Sequence, residues 1–239
     1  EYEEGPLYIK INSGTAFKNP SFQDLFWPSG ALASGNPDLL PETSLNLDGG
    51  VFFEIPDFAE IISIDFEAVG FFSTVNNLIQ WIPTAGGIWR PLNIGYVYNG
   101  GLELSASTGY TEKAGNYSID LTLVYNWLKS IDADPESVNY GRQLAYKPEH
   151  SANLSLLFRI PDILSAELNC NYLGYRFSNS SNTKYIDQVM LLSAAVNYTV
   201  TETFDVSASI DNMLNLKYID RLGYPVHGAV WSVKWRLKI

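Results

Sequence analysis

The chain has 239 residues and a formal charge of −11, from 26 acidic and 15 basic side chains; only 17% of it is charged, against about 25% in an ordinary soluble domain. This balance excludes a nucleic-acid binder, which needs a basic face for phosphates. The single cysteine, Cys170, excludes an internal disulfide and a cysteine-based zinc site, and two histidines far apart, His150 and His227, argue against a histidine-rich metal centre.

No apolar run is long enough for a transmembrane helix. The first residue is Glu1 rather than Met, so a processed, excised or truncated N-terminus is expected. Along the chain the dominant pattern is alternation. From Tyr117, one face carries Tyr117, Ile119, Leu121, Leu123, Tyr125 and Trp127, and the other Ser118, Asp120, Thr122 and Asn126. In Ser151–Ile160 the apolar face is Ala152, Leu154, Leu156, Phe158 and Ile160, opposed by Asn153, Ser155 and Arg159, with Leu157 the exception. At the end of the chain Trp231, Val233, Trp235, Leu237 and Ile239 alternate with Ser232, Lys234, Arg236 and Lys238. Side chains on a strand point alternately to its two faces, so each segment reads as a strand wet on one side.

About ten strands are expected, over 7–17, 44–54, 60–82, 91–112, 117–132, 149–160, 164–179, 187–200, 204–218 and 229–239. No segment has the capped, 3.6-period pattern of a helix, apart from one possible turn at Pro20–Phe26. The connections 18–43, 83–90, 133–148, 180–186 and 219–228 are mostly long. Those at 55–59, 113–116, 161–163 and 201–203 are short and carry turn residues: Pro56-Asp57, Ala114-Gly115-Asn116 and Pro161-Asp162. One end of the sheet therefore holds the long loops and the other the tight turns, the asymmetry of an outer-membrane β-barrel with short periplasmic turns and longer extracellular loops. Aromatics fall in two bands: Tyr110, Tyr117, Phe158, Tyr198, Phe204 and Trp235 near the short turns, and Trp81, Trp89, Trp127 and Tyr175 toward the long loops. Two such bands fit two membrane interfaces. By parity the opposite face holds Asp48, Asp65, Glu67, Glu103, Asp120, Glu167 and Asp211, with Lys10, Arg159, Lys234, Arg236 and Lys238. Facing lipid, such charges would cost a few kcal/mol each near the midplane, so they are expected to face a wet lumen.

Three stretches resemble the C-terminal part of TonB-dependent outer-membrane receptors. They are Ser13–Trp27 followed by Gly35-Asn-Pro-Asp-Leu-Leu-Pro-Glu42; Asn77–Trp81 with Gly87–Gly95 and Gly100–Glu103; and Asp211–Tyr218 followed by Arg221–Gly228 and a last amphipathic strand. The style is nearest to cobalamin and siderophore receptors. The resemblance implies an all-β, antiparallel transmembrane barrel of about 22 strands plugged by an N-terminal domain, with residues 1–239 as its last ten strands. It implies uptake of a scarce, bulky nutrient (cobalamin, a ferric siderophore, haem or a glycan) across the bacterial outer membrane, with TonB acting through an N-terminal region that this chain lacks. Its partners would be that small-molecule nutrient, TonB, the receptor's own plug domain and outer-membrane lipid. The sequence departs from the family in ending on Ile239 rather than an aromatic residue, and in having His227-Gly228-Ala229 where Pro-Gly-Arg is common.

Candidate ligand-binding residues lie in connections that parity places outside the cell. Phe26 and Trp27, with Leu25, either line a ligand mouth or pack against neighbouring loops. Trp89 and Arg90 offer a ring and a guanidinium suited to an anionic or flat ligand, or an interface anchor. Tyr140 and Arg142 could also meet ligand. The acids Asp132, Asp134 and Glu136 have a spacing that an oxygen cage for calcium could use, but solvated loop acids are commoner, and no metal or cofactor site is assigned. No G-x-S-x-G elbow accompanies the histidines, so an enzyme is not expected. The alternatives are a self-contained ten-stranded porin or adhesin, which needs 7–17 to pair with 229–239, and a soluble carbohydrate-binding sandwich.

Overall fold

The computed structural model describes residues 6–84 and 86–237, with the side chains of Asp57 and Pro225 left aside. Its main feature is one antiparallel sheet of ten strands in the order β1-β2-β3-β4-β5-β6-β7-β10-β11-β14. These are β1 (Leu7–Lys18), β2 (Glu42–Phe58), β3 (Ile62–Pro83), β4 (Trp89–Thr111), β5 (Ser118–Asp132), β6 (His150–Ile160), β7 (Leu164–Leu173), β10 (Val189–Thr201), β11 (Phe204–Asp211) and β14 (Val230–Leu237). Two small hairpins sit in the loops, β8 (Arg176–Phe177) with β9 (Tyr185–Ile186) and β12 (Ile219–Arg221) with β13 (Tyr224–Pro225); one short helix, α1 (Phe22–Phe26), follows β1. Each large strand pairs with its neighbours in sequence, and among the described residues β1 and β14 each pair on one side only. The ten-stranded alternative needed these two strands to meet.

The register carries the parity argument across the whole sheet. Directly opposed residues share a face, and the ladder links Glu67 with Ser105, Ser105 with Val124, Val124 with Asn153, Asn153 with Asn171, and Asn171 with Leu191. The described charged residues expected in the lumen all lie on this one face. They are tied across strands: Asn12 donates to Asp48 at 2.8 Å, Ser107 to Asp65 at 3.1 Å, Asn153 to Asn171 at 3.0 Å, and Arg159 pairs with Asp120 at 2.7 Å. The opposite face is apolar and uncovered, with Ile9, Leu47, Leu121, Leu154, Leu168 and Val233 among its exposed side chains. At the short-turn end of that face Tyr117 packs between Tyr110 and Phe158, with ring centroids 6.0 and 6.1 Å apart, an aromatic girdle built by cross-strand contact. Lys238 and Ile239, expected on the polar and apolar faces, lie outside the described residues.

Strand ends differ from expectation where backbone chemistry overrides the hydrophobic pattern. The first short turn is not at Pro56-Asp57. Pro56 remains in β2, where the ladder to β3 shifts between Ile55 and Phe58; a proline has no N–H to lose at such an irregularity. The chain reverses at Ala59 and Glu60, with φ of 55° and 64°, positive values at two successive residues that match the twist of a tight hairpin. β11 stops at Asp211 instead of running to 218. Asn212 takes φ 50° and bonds both to Leu216 N and to Leu216 O, folding the segment into a loop. The connection expected at 83–90 is shorter than supposed: β3 runs to Pro83 and β4 starts at Trp89, with Gly86 and Gly87 between them at φ of 89° and 79°. At Asn77, which takes φ 56°, one rung of the β3–β4 hairpin's ladder is interrupted, but the register is unchanged: Asn76 faces Tyr96 before it and Leu78 faces Ile94 after it. This hairpin outreaches both flanking strands, because β2 pairs only to Asn76 and β5 only to Val97.

The buried core lies at the long-loop end. Val75 and Val97, on the polar face, are covered by Leu144 of the 133–149 loop, with Leu78 and Ile94 packed around them. Loops folding down over the strand ends, rather than a second sheet, supply the buried volume.

Candidate functional site

The 19–41 loop is fastened to the outreaching hairpin. Ser21 caps α1: its Oγ accepts from Asp24 N at 3.1 Å, and Asp24 Oδ2 accepts from Ser21 N at 2.9 Å, a capping box. Asp24 Oδ1 also accepts from the Trp81 indole at 2.8 Å. Burial pushes the Asp24 carboxyl upward, but these hydrogen bonds outweigh it and hold its pKa below the usual carboxylate value. A depressed pKa stabilises the fold at pH above the unfolded-state value of about 4, and that stabilisation is lost as pH falls through the folded-state value. Acidification through this range is therefore expected to release the loop from Trp81, seen as a change in indole fluorescence that the Asp24→Asn protein lacks.

Further along the same loop, Ser34 N donates to Trp89 O at 3.0 Å and Trp89 N to Leu32 O at 2.9 Å. Asn36 donates to Pro91 O at 3.0 Å, and Asn93 exchanges bonds with Leu40 N and O at 2.8 and 3.0 Å. Gly35 is needed where the loop turns back on α1, because a Cβ there would stand 2.6 Å from Trp27 N.

These contacts shape a cavity of about 430 Å³ at the long-loop end. Gln23 and Trp27 line it from the first loop, Trp81 and Trp89 from the β3–β4 hairpin, and Asp220, Arg221 and Tyr224 from the β12–β13 hairpin. The Trp27 and Trp81 rings meet edge-on at 6.1 Å. Trp89 is backed by Tyr146 of the 133–149 loop at 5.3 Å. Burial raises the Tyr146 phenol, and the Leu222 backbone with the nearby Arg221 and Arg176 charges partly offsets the rise.

The structure brings together two of the six candidates, Trp27 and Trp89. Phe26 sits beside them on α1 but packs tilted against Phe22 at 5.0 Å and stays exposed. Arg90 has another setting: its Nη2 reaches Asn36 Oδ1 at 3.4 Å and its Nε is buried, so it braces the first loop. Arg142 lines a second cavity, of about 290 Å³, beside Asp132, Asp134 and Glu136, and donates to Ser181 O; Tyr140 projects from the same loop and is exposed. In that loop Asp132 accepts from Asp134 N and Ser137 Oγ, and Asp134 from Glu136 N, so the acids fold their own turn. Trp81 belongs to the first cavity and not to an interface band. Asp220, Arg221 and Tyr224 have no site role in the sequence reading; the available signal was an arginine and a tyrosine in a loop that parity already placed with the others.

An antiparallel sheet greasy on one face, polar on the other, turning tightly at one end and looped at the other, is the wall of a bacterial outer-membrane β-barrel. The chain belongs to the TonB dependent receptor-like, beta-barrel family, whose model matches residues 6–213. It is 29% identical over 226 residues to the vitamin B12 transporter BtuB of Photobacterium profundum, covering 92% of this chain and 33% of that protein. Among solved structures the copper transporter OprC superposes with a TM-score of 0.69 at 21% identity, covering all of this chain and 38% of that one. The ferric yersiniabactin uptake receptor FyuA from Yersinia pestis does so with 0.68 at 17% identity, over 98% and 35%. The chain thus spans about a third of the length of the curated relatives it matches.

Proposed function

We propose that these residues form the last ten strands of a plugged barrel of about 22 strands, and that the whole receptor takes up a scarce, bulky nutrient in a TonB-dependent manner. The observation that carries this reading is the family match over nearly the whole chain, joined to a loop-end cavity walled by three tryptophans. Cobalamin is the first candidate, since a B12 transporter is the relative at 29% identity over 92% of the chain. A ferric siderophore is the second, since the fold is shared with a ferric yersiniabactin receptor. Neither ligand fits whole into about 430 Å³, so this cavity grips one edge of the nutrient while the other loops and the plug hold the rest. Trp27 and Trp89 are its anchors, with Phe26 at the rim and Tyr140 and Arg142 as a separate contact. Capture by the loops precedes plug movement driven through TonB. The known relatives are transporters and receptors, and nothing in the cavity assembles a nucleophile with a base; we read the protein as a non-enzyme.

The test is accumulation of labelled cobalamin, and separately of a labelled ferric siderophore, by cells whose only receptor is the full-length protein. Saturable uptake of one ligand that disappears when TonB is deleted is the expected result. Leakage of small solutes that ignores TonB would return the porin reading.

A further inference from the structure

Arg176 has a position that its neighbours do not explain by packing alone. Its side chain is 3% exposed, yet it is a full charge. Nη2 donates to Ile219 O at 3.1 Å, to Asp220 O at 2.8 Å and to Asp220 Oδ1 at 3.1 Å, while Nη1 is buried with no hydrogen-bond partner among the described residues. Burying a guanidinium costs several kcal/mol unless a charge answers it, and the answering charge is Asp220, 44 residues on. Asp220 lies on the cavity wall with its side chain 56% exposed, next to Arg221 on the same wall. Left alone, these two adjacent residues would cancel. Arg176 instead occupies the Asp220 carboxylate from behind, and Arg221 makes no ion pair among the described residues.

From this arrangement we infer that Arg176 is a specificity-determining positioning residue: by neutralising Asp220 and fixing the 219–220 backbone, it leaves Arg221 to set a positive potential in a tryptophan-walled cavity, which then selects a ligand edge that is both flat and anionic. The three indoles offer faces for a conjugated or aromatic group, and the guanidinium of Arg221 offers donors for a carboxylate, phosphate or phenolate oxygen. The Tyr146 phenol, within Coulomb reach of both arginines and with its ring tilted behind Trp89 at 5.3 Å, marks how near this charge lies to the aromatic wall. The inference deepens the proposed uptake reading by naming the ligand chemistry of the same cavity, but its test reads the cavity's charge directly and does not depend on transport.

The experiment uses the full-length receptor in outer membranes, with Gln23→Cys on the cavity wall and Cys170→Ser in the background. The thiol is modified by a sulfonate-bearing methanethiosulfonate and by its trimethylammonium counterpart, and the ratio of the two rates reports the local potential. Each ratio is read relative to the Gln23→Cys parent, which keeps the Asp24 carboxylate beside the reporter, and removing one positive charge within a Debye length should lower it a few-fold. Arg221→Gln should produce that fall, and so should Arg176→Met; Arg176→Lys should not. The double change Arg176→Met with Asp220→Asn should restore the original ratio, a rescue that a purely structural role for Arg176 would not give. If Arg176→Met alone is not displayed on the surface, Asp220→Asn reads the coupling from the other side and should raise the ratio. A ratio indifferent to both Arg176→Met and Asp220→Asn, or a double variant that stays low, overturns the inference. Loss of nutrient uptake with an intact ratio would instead strike at the uptake reading.

Discussion

Leu154→Arg should lower the stability of the membrane-inserted receptor by about 2–4 kcal/mol, while the neighbouring Asn153→Arg should leave it nearly unchanged. Leu154 sits in the middle of β6 on the exposed apolar face, opposite Leu123 on one side and Cys170 on the other. A guanidinium there meets hydrocarbon. Asn153 is one residue away on the polar face, bonded to Asn171 and opposite Val124, where a long cation can reach water. Urea unfolding in lipid vesicles, read by the heat-dependent gel shift of the folded barrel, measures both. Equal costs at the two positions, or the larger cost at 153, would invert the facing of the whole sheet, because the register ties every strand to this one.

Replacing Trp27 and Trp89 together by alanine should weaken nutrient capture by about 2–4 kcal/mol, a loss of roughly 30-fold to several hundred-fold in affinity. Both rings line the same cavity from different elements, and aromatic anchors that a ligand covers dominate recognition energy in such settings. Surface display should persist, since the backbone groups of Trp89 that hold the first loop survive the substitution. Tyr140→Ala is the matched control: exposed in a different loop, it should change affinity far less. Affinity measured on intact cells, with surface labelling for display, separates the outcomes. An undiminished affinity in the double variant would move the anchor role away from this cavity.

The sheet was legible because its physics is periodic. A residue two positions away shares a face, so Asp48, Glu103 and Lys234 could be put on one side without knowing their neighbours, and the ladder places them there. Ends were legible only where a turn residue acted locally. Pro56 looked like a turn and is instead a tolerated irregularity in a strand, and Asn212 looked like strand and is a left-handed stop. The cavity was least legible, because its contacts join residues far apart in the chain and in no periodic relation. Trp81 reaches Asp24 across 57 residues and Arg176 reaches Asp220 across 44. Aromatic content and loop parity could nominate Trp27 and Trp89 separately; only the hairpin that carries Trp89 past its neighbouring strands shows that they share a wall. The same logic explains Arg90, whose charge suggested ligand and whose partner is Asn36.

That overreaching hairpin has a thermodynamic consequence. Holding a peptide backbone in one conformation costs on the order of 1–2 kcal/mol per residue, and a loop that becomes ordered only around its guest must meet that cost at the moment of association. Here the segment from Ser21 to Leu40 is already held, by bonds to Trp81, Trp89, Pro91 and Asn93 and by its own turns at Gly35 and Asn36, before any guest arrives. Association at this mouth therefore carries the heat-capacity signature of indole surfaces losing water, without the much larger one of a chain folding. The entropy was surrendered when the barrel formed, and the attraction of the aromatic wall goes almost entirely into holding the guest.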